Sequence, residues 1–312
     1  MHRMNLKLAG LFTFSFFLLP ISAEPTVYGK LGVTIESQDL KEGSKLDLVS
    51  NASRLGVKGN IDLGKGLEVI YQAEYEIDLV DGKADDSRNR TFKQRNSFIG
   101  LKGDYGTLFL GTHDTALKKS QAKIDLFDDL IGDIENILQG ENRMNDFIGY
   151  TTPIIGKGFS ATFNAIKGTL DLDKDSIGDS KSCSFIYKTE SFYAGIAIDS
   201  DVLGYDSTRF SIQIPLNKNQ IGIIYQDSKN LSTGSEENGF VTSFSRKITE
   251  KGIIKIQITE SDMKISSGKQ LSLGYDYKFN KNTKFSFFYT DFSGDQDAKE
   301  KEISALGIEY KF

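Results

Sequence analysis

Leu271-Ser272-Leu273-Gly274-Tyr275-Asp276-Tyr277-Lys278-Phe279 alternates without a slip, with Leu271, Leu273, Tyr275, Tyr277 and Phe279 on one side and Ser272, Gly274, Asp276 and Lys278 on the other. Successive side chains of an extended chain point to opposite faces, so this stretch is a strand with one apolar and one polar face. Phe285, Phe287 and Tyr289 repeat the pattern after it, and Ile254, Ile256 and Ile258 show it before, against Lys255, Gln257 and Thr259. From Val27 onward the same rhythm recurs, and scarcely any stretch carries the 3.6-residue period of an amphipathic helix. About sixteen such segments fit, at roughly 18 residues per strand plus connection.

Two architectures produce this alternation: a β-sandwich that buries its apolar faces, and a membrane barrel that turns them to lipid. Connections and aromatics favour the second. Asn280–Asn282 and Glu250–Gly252 are short turns, whereas Asp81–Arg90, Gly168–Lys181 and Ser228–Asn238 are long and polar. Short turns at one end and long loops at the other mark an outer-membrane barrel. Tyr and Phe together number 35, and many sit at segment ends (Tyr28, Tyr71, Tyr150, Tyr310, Phe312), as interfacial girdles require. Leu306, Ile308, Tyr310 and Phe312 share one face of the last segment, which therefore closes on an aromatic. The expected fold is all-β, a 16-stranded antiparallel transmembrane β-barrel, wide enough for an aqueous channel. The pattern leaves room for one strand more or fewer.

The N-terminus reads differently. His2, Arg3 and Lys7 precede an apolar run from Leu8 to Leu19, followed by Pro20, Ile21, Ser22 and Ala23. That run is about a dozen residues where a spanning helix needs roughly 20, so residues 1–23 are expected to be a secretory signal peptide cut after Ala23. Residues 24–312 form the barrel. Removing Arg3 and Lys7 but no acid moves the formal charge from −5 to about −7.

Composition excludes much. No dense Lys/Arg stripe exists to release counterions from a phosphate backbone, so no nucleic-acid partner is expected. A single cysteine, Cys183, allows neither an intrachain disulfide nor a thiolate metal cluster. With His2 in the signal segment, His113 stands alone, against most zinc and Ser-His-Asp chemistry. Gly59 to Lys65 has P-loop spacing, but Gly66 replaces the magnesium-binding hydroxyl residue and a strand follows, so a hairpin turn is the better reading. Asp171, Asp173 and Asp175 begin like an EF-hand, yet Ser176 stands where its turn needs glycine; a solvated loop is favoured. Asp125, Asp128, Asp129 and Asp133 lack any paired nucleophile or base. No enzyme, cofactor or metal is expected.

One segment, from about Asp114 to Glu141, is too long for a hairpin turn and holds Leu117, Ile124, Leu126, Phe127, Leu130, Ile131, Ile134 and Ile137. Exposing these to water is costly, whereas folding the loop inward buries them and narrows the lumen.

The residues around this loop resemble the general-diffusion porins of Gram-negative bacteria. Val27-Tyr28-Gly29-Lys30 is similar to that family's first strand, Ser53 to Gly59 to its second, and Arg95 to Gly103 to its fourth, followed by the turn Asp104-Tyr105-Gly106. The resemblance implies an outer-membrane homotrimer of 16-stranded barrels embedded in lipid, each with its third extracellular loop folded inward. It also implies that basic wall residues, here Lys30, Arg54, Arg95 and Arg143, face loop acids, here Asp125 and Asp129. The usual Pro-Glu-Phe-Gly run is replaced by Asp128-Asp129-Leu130-Ile131-Gly132, and Thr112 stands where a base is common. Alternation supports a lumenal Arg54 and Lys58, because a charge at mid-bilayer costs about 2–4 kcal/mol. Arg95 shares parity with Ile99, which calls for a bulge or a position above the lipid zone. The expected function is passive diffusion of small hydrophilic solutes and ions through a pore with a charged constriction; the alternative is a structural or adhesive barrel displaying loops.

Overall fold

The computed structural model describes residues 24–40, 43–84, 88–168, 175–265, 267–295 and 300–312. Its sheet is inside out: Leu273 is 41% exposed and Phe287 55%, whereas Ser272, Gln257 and Thr290 are 0% exposed. A water-soluble sandwich would show the reverse. Apolar residues therefore face outward along the strands, where only lipid satisfies them, and the polar faces line an interior.

The strands are β1 (Thr26–Leu40), β2 (Gly43–Ser50), β3 (Arg54–Gly64), β4 (Leu67–Ile77), β5 (Phe92–Gln94), β6 (Ser97–Gly103), β7 (Gly106–Asp114), β8 (Arg143–Thr151) and β9 (Phe159–Lys167). Then follow β10 (Ile177–Lys188), β11 (Tyr193–Val202), β12 (Tyr205–Leu216), β13 (Asn219–Asn230), β14 (Glu236–Lys247), β15 (Gly252–Ser261), β16 (Gly268–Lys278), β17 (Thr283–Ser293) and β18 (Lys301–Lys311). All pair antiparallel, and β18 returns to β1 in register from Lys30↔Lys311 to Leu40↔Lys301, which closes the barrel. No sheet edge remains to be satisfied in lipid.

Two staves are broken. β2 and β3 both pair with β1, and between them Ser53 Oγ accepts from Gly32 N and donates to Gly32 O, replacing the missing ladder bonds. β5 and β6 both pair with β4, and the break falls at Arg95 and Asn96. Joining each pair leaves sixteen staves. The second break accounts for the parity conflict at Arg95: its N–H still bonds Glu74 O at 2.9 Å, so it keeps the parity of β5, not that of β6, and turns inward.

At one end the connections are tight. Lys65 and Gly66, at φ 54° and 75°, form the two-residue hairpin between β3 and β4. Two left-handed residues match the strand twist, so the P-loop spacing is a turn. The opposite end carries the long connections after β4 and β7, but also two departures from expectation. Leu203-Gly204 alone joins β11 to β12, and β13 and β14 extend into the expected loop, leaving only 231–235 as turn. The signal segment, Asp171 and Asp173 lie outside the described residues.

Candidate functional site

The connection from Thr115 to Asn142 is the third at the long-loop end, and it lies inside the barrel. Thr115 caps a short helix, α1 (Ala116–Lys119), accepting from Lys118 N. The loop's side chains then pack on inward-facing wall residues: Ile124, Ile134 and Leu138 against Ile224 and Val241, with Met263 of the β15–β16 connection, Phe127 against Phe288 and Ala305, and Ile137 against Phe292 and Ile303. These wall positions are apolar where lumenal parity predicts polar residues, because the loop covers them. Polar ties complete the attachment. Leu117 N donates to Ser182 Oγ, Gln257 Nε2 to Gly132 O and Lys255 Nζ to Leu126 O, while the fully buried Arg209 pairs with Glu141 at 2.7 Å.

This core presents the next stretch of loop to the opposite wall. Asp129, at φ 65°, donates its N–H to Asp133 Oδ2 and directs its own carboxylate at the basic side. There Lys30 Nζ lies at 2.6 Å, Arg54 at 2.8 Å and Arg95 at 3.9 Å. Burial alone would raise the Asp129 pKa, but Lys30 and Arg54 outweigh it and hold the carboxyl well below its usual range.

Of the six residues proposed from the sequence, Lys30, Arg54, Arg95 and Asp129 converge. The other two do not join them. Asp125 turns toward β15 and accepts from Phe127 N, Ile134 N and Gln257 Nε2; burial, with Asp128 nearby, pushes it up to about 6. Arg143 pairs with Asp114 at 2.9 Å and donates to Asn96. Asp129 meets Lys30 and Arg54 in direct contact.

Several participants escaped sequence reading. Arg95 is shared with Glu74 at 3.0 Å and Glu76 at 2.7 Å, and Lys30 also approaches Glu309 at 3.8 Å. Parity alone would have placed Glu74, Glu76 and Glu309 on the lumenal face, since each alternates with outward apolar neighbours.

On the long-loop side of this cluster lies a cavity of about 1210 Å³, and on the short-turn side one of about 630 Å³. Arg54, Gln121, Ala122, Asp128 and Asp129 line both, so the loop and the basic wall form the waist between two wet chambers.

Comparison with known proteins agrees with this architecture. The Major outer membrane protein P.IB of Neisseria gonorrhoeae is 29% identical over 195 residues, a stretch that covers 57% of this chain and about half (53%) of that protein. Outer membrane porin protein 32 of Delftia acidovorans is 27% identical over 287 residues, covering 84% of this chain and 78% of that protein. Among solved structures, an anion-selective porin from Comamonas acidovorans superposes with a TM-score of 0.76 at 22% identity, covering 93% of this chain and 100% of that one. OmpF of Salmonella typhi, in complex with daunomycin, gives 0.75 at 17% identity, covering 92% and 97%. These likenesses show a shared barrel fold. A family profile for Gram-negative porins matches residues 19–297, and together with the closed sixteen-stave barrel this places the chain in the Gram-negative porin family.

Proposed function

We propose that the protein is a passive pore for small hydrophilic solutes and ions, narrowed where Asp129 meets Lys30 and Arg54. As a Gram-negative porin it resides in the outer membrane and is a channel, not an enzyme. The observation that carries the reading is the pair of polar chambers sharing a charged waist. A barrel that only displayed loops would need no such chambers.

The residues act by position. The apolar underside of the loop fixes the waist, and solutes pass it by size. Charge acts over short range, because Asp129 and Glu309 offset Lys30, Glu74 and Glu76 offset Arg95, and Arg54 is held by Asp129, so both signs stand side by side at the waist. Low-dielectric walls focus the field of these charges onto the path. Arg143 and Asp125 flank the waist, Arg143 toward the long-loop chamber and Asp125 toward the short-turn chamber. We further propose that residues 1–23 direct export, that the short turns face the periplasm, and that three copies associate through outward apolar residues of the early and late strands.

Planar-bilayer recording on purified protein tests this. Large, steady conductance with a reversal potential that responds to a salt gradient is expected. A protein that inserts as a heat-modifiable barrel and yet carries no current would overturn the reading.

A further inference from the structure

Charged residues continue along the wall beyond the waist, and their order is regular. On five adjacent strands the lumenal faces carry Lys255 (β15), Asp276 (β16), Lys284 (β17), Glu309 (β18) and Lys30 (β1), each within reach of the next: 3.2, 3.7, 3.8 and 3.8 Å in turn. Lys30 then meets Asp129, and Asp129 meets Arg54. The sign alternates at every step. Two of these contacts, at the waist, are short and saturated, whereas those of Lys284 and of Lys30 with Glu309 exceed hydrogen-bonding distance. Glu309 Oε1 also pairs with Lys311 of the same strand at 3.0 Å, but the Lys284 and Glu309 side chains keep 25% and 20% exposure and line the short-turn chamber, so Lys284 and the second Glu309 oxygen have hydrogen-bonding capacity open to a solute.

Strands lie about 4.7–4.9 Å apart, which sets the spacing of the alternation. A solute of one sign beside such a belt is attracted by one residue and repelled by the next, and the two effects largely cancel. A solute bearing an ammonium and a carboxylate a few ångströms apart lies along the belt with each end against its opposite. We propose that this belt favours passage of zwitterions, α-amino acids and short peptides, over uncharged solutes of equal size. The inference rests on the reading of the chain as an open pore.

Alanine and its uncharged isomer lactamide make the test. In proteoliposome swelling at neutral pH and low salt, alanine is expected to enter at least about threefold faster than lactamide, an advantage that a single weak ion pair supplies. Lys284→Glu/Glu309→Lys keeps the net charge but breaks the alternation, and should bring alanine down to the lactamide rate. If that variant does not insert, Lys284→Gln alone should lower the alanine to lactamide ratio. Equal rates in the wild-type protein, or an unchanged ratio in either inserted variant, would overturn the proposal. Exclusion of both isomers would remove the pore reading together with the belt, whereas ready entry of both at one rate removes the belt alone.

Discussion

Replacing Asp129 by Asn deletes the one loop carboxylate that Lys30 and Arg54 both touch, at 2.6 and 2.8 Å. Arg54 then faces the path without its ion pair, and Lys30 keeps only Glu309 at 3.8 Å. An ion passing roughly 6 Å from the lost charge, in a water-like dielectric, experiences a change of about 0.7 kcal/mol. Anion entry should rise about threefold and cation entry fall by a similar factor, so the permeability ratio should move about tenfold toward anions at low salt. Reversal potentials in a potassium chloride gradient report this ratio directly. The shift should shrink toward nothing at 1 M salt, where the Debye length is about 3 Å. Arg54→Ser should move the ratio the other way. If Asp129→Asn and Arg54→Ser both leave the reversal potential where the wild type has it at low salt, the waist is not where selectivity is set.

Phe127, fully buried against Phe288 and under the Lys255 ammonium at 4.4 Å, should cost about 3–5 kcal/mol of loop attachment when cut to Ala; flickering single-channel current with an unmoved reversal potential is the expected record. Arg209→Met should lower the heat-modifiability transition strongly, by the equivalent of about 3–5 kcal/mol, because Glu141 is left buried and unpaired, and adding Glu141→Gln should restore part of the loss. The Asp125 carboxyl, pushed up to about 6 by burial, contributes stability below about pH 4 that is lost as pH rises through 6, so Asp125→Asn should flatten the decline of that transition between pH 4 and 7. Deleting Phe312 removes the two backbone bonds it exchanges with Gly29 and should slow insertion, seen as a lower outer-membrane yield.

Period-2 alternation made the barrel legible, because a strand between lipid and water must repeat every two residues and little else in the chain competes with that signal. Loop inversion was legible for a related reason: Ile124, Phe127 and Ile134 are too apolar for water. What alternation does not encode is which lumenal positions the loop covers. Ile224, Val241 and Phe288 face inward, and their partners lie 100 residues away in the chain (Ile124 to Ile224) or more (161 for Phe127 to Phe288), so only the packed structure explains them. The waist was half legible for the same reason. Lys30 and Arg54 sit on regular strands whose parity points them inward, whereas Arg95 shares parity with Ile99 and reaches the lumen only through the break between β5 and β6. Asp125 and Asp129 differ by four residues in an irregular loop, where no period assigns direction; the left-handed backbone at Asp129 turns it to the bases and the cap at Phe127 and Ile134 turns Asp125 away. Glu309 and Asp276 were readable by parity but carry no motif that singles out a wall acid.

The inward apolar residues also explain how a pore can hold a charged waist still. A loop attached only by ion pairs would be held by contacts that water competes for and salt screens, each worth little at an exposed site. Here the charged face of the loop and its apolar face are separated: Asp129 meets the basic wall, while Phe127, Ile134 and Ile137 are sealed against residues of β13, β14, β17 and β18. Apolar packing is indifferent to salt screening, so the position of Asp129 does not depend on the pairs it makes. Selectivity can then follow ionic strength through screening alone, with the waist keeping its dimensions, and a change in wall charge alters which solutes pass without releasing the loop.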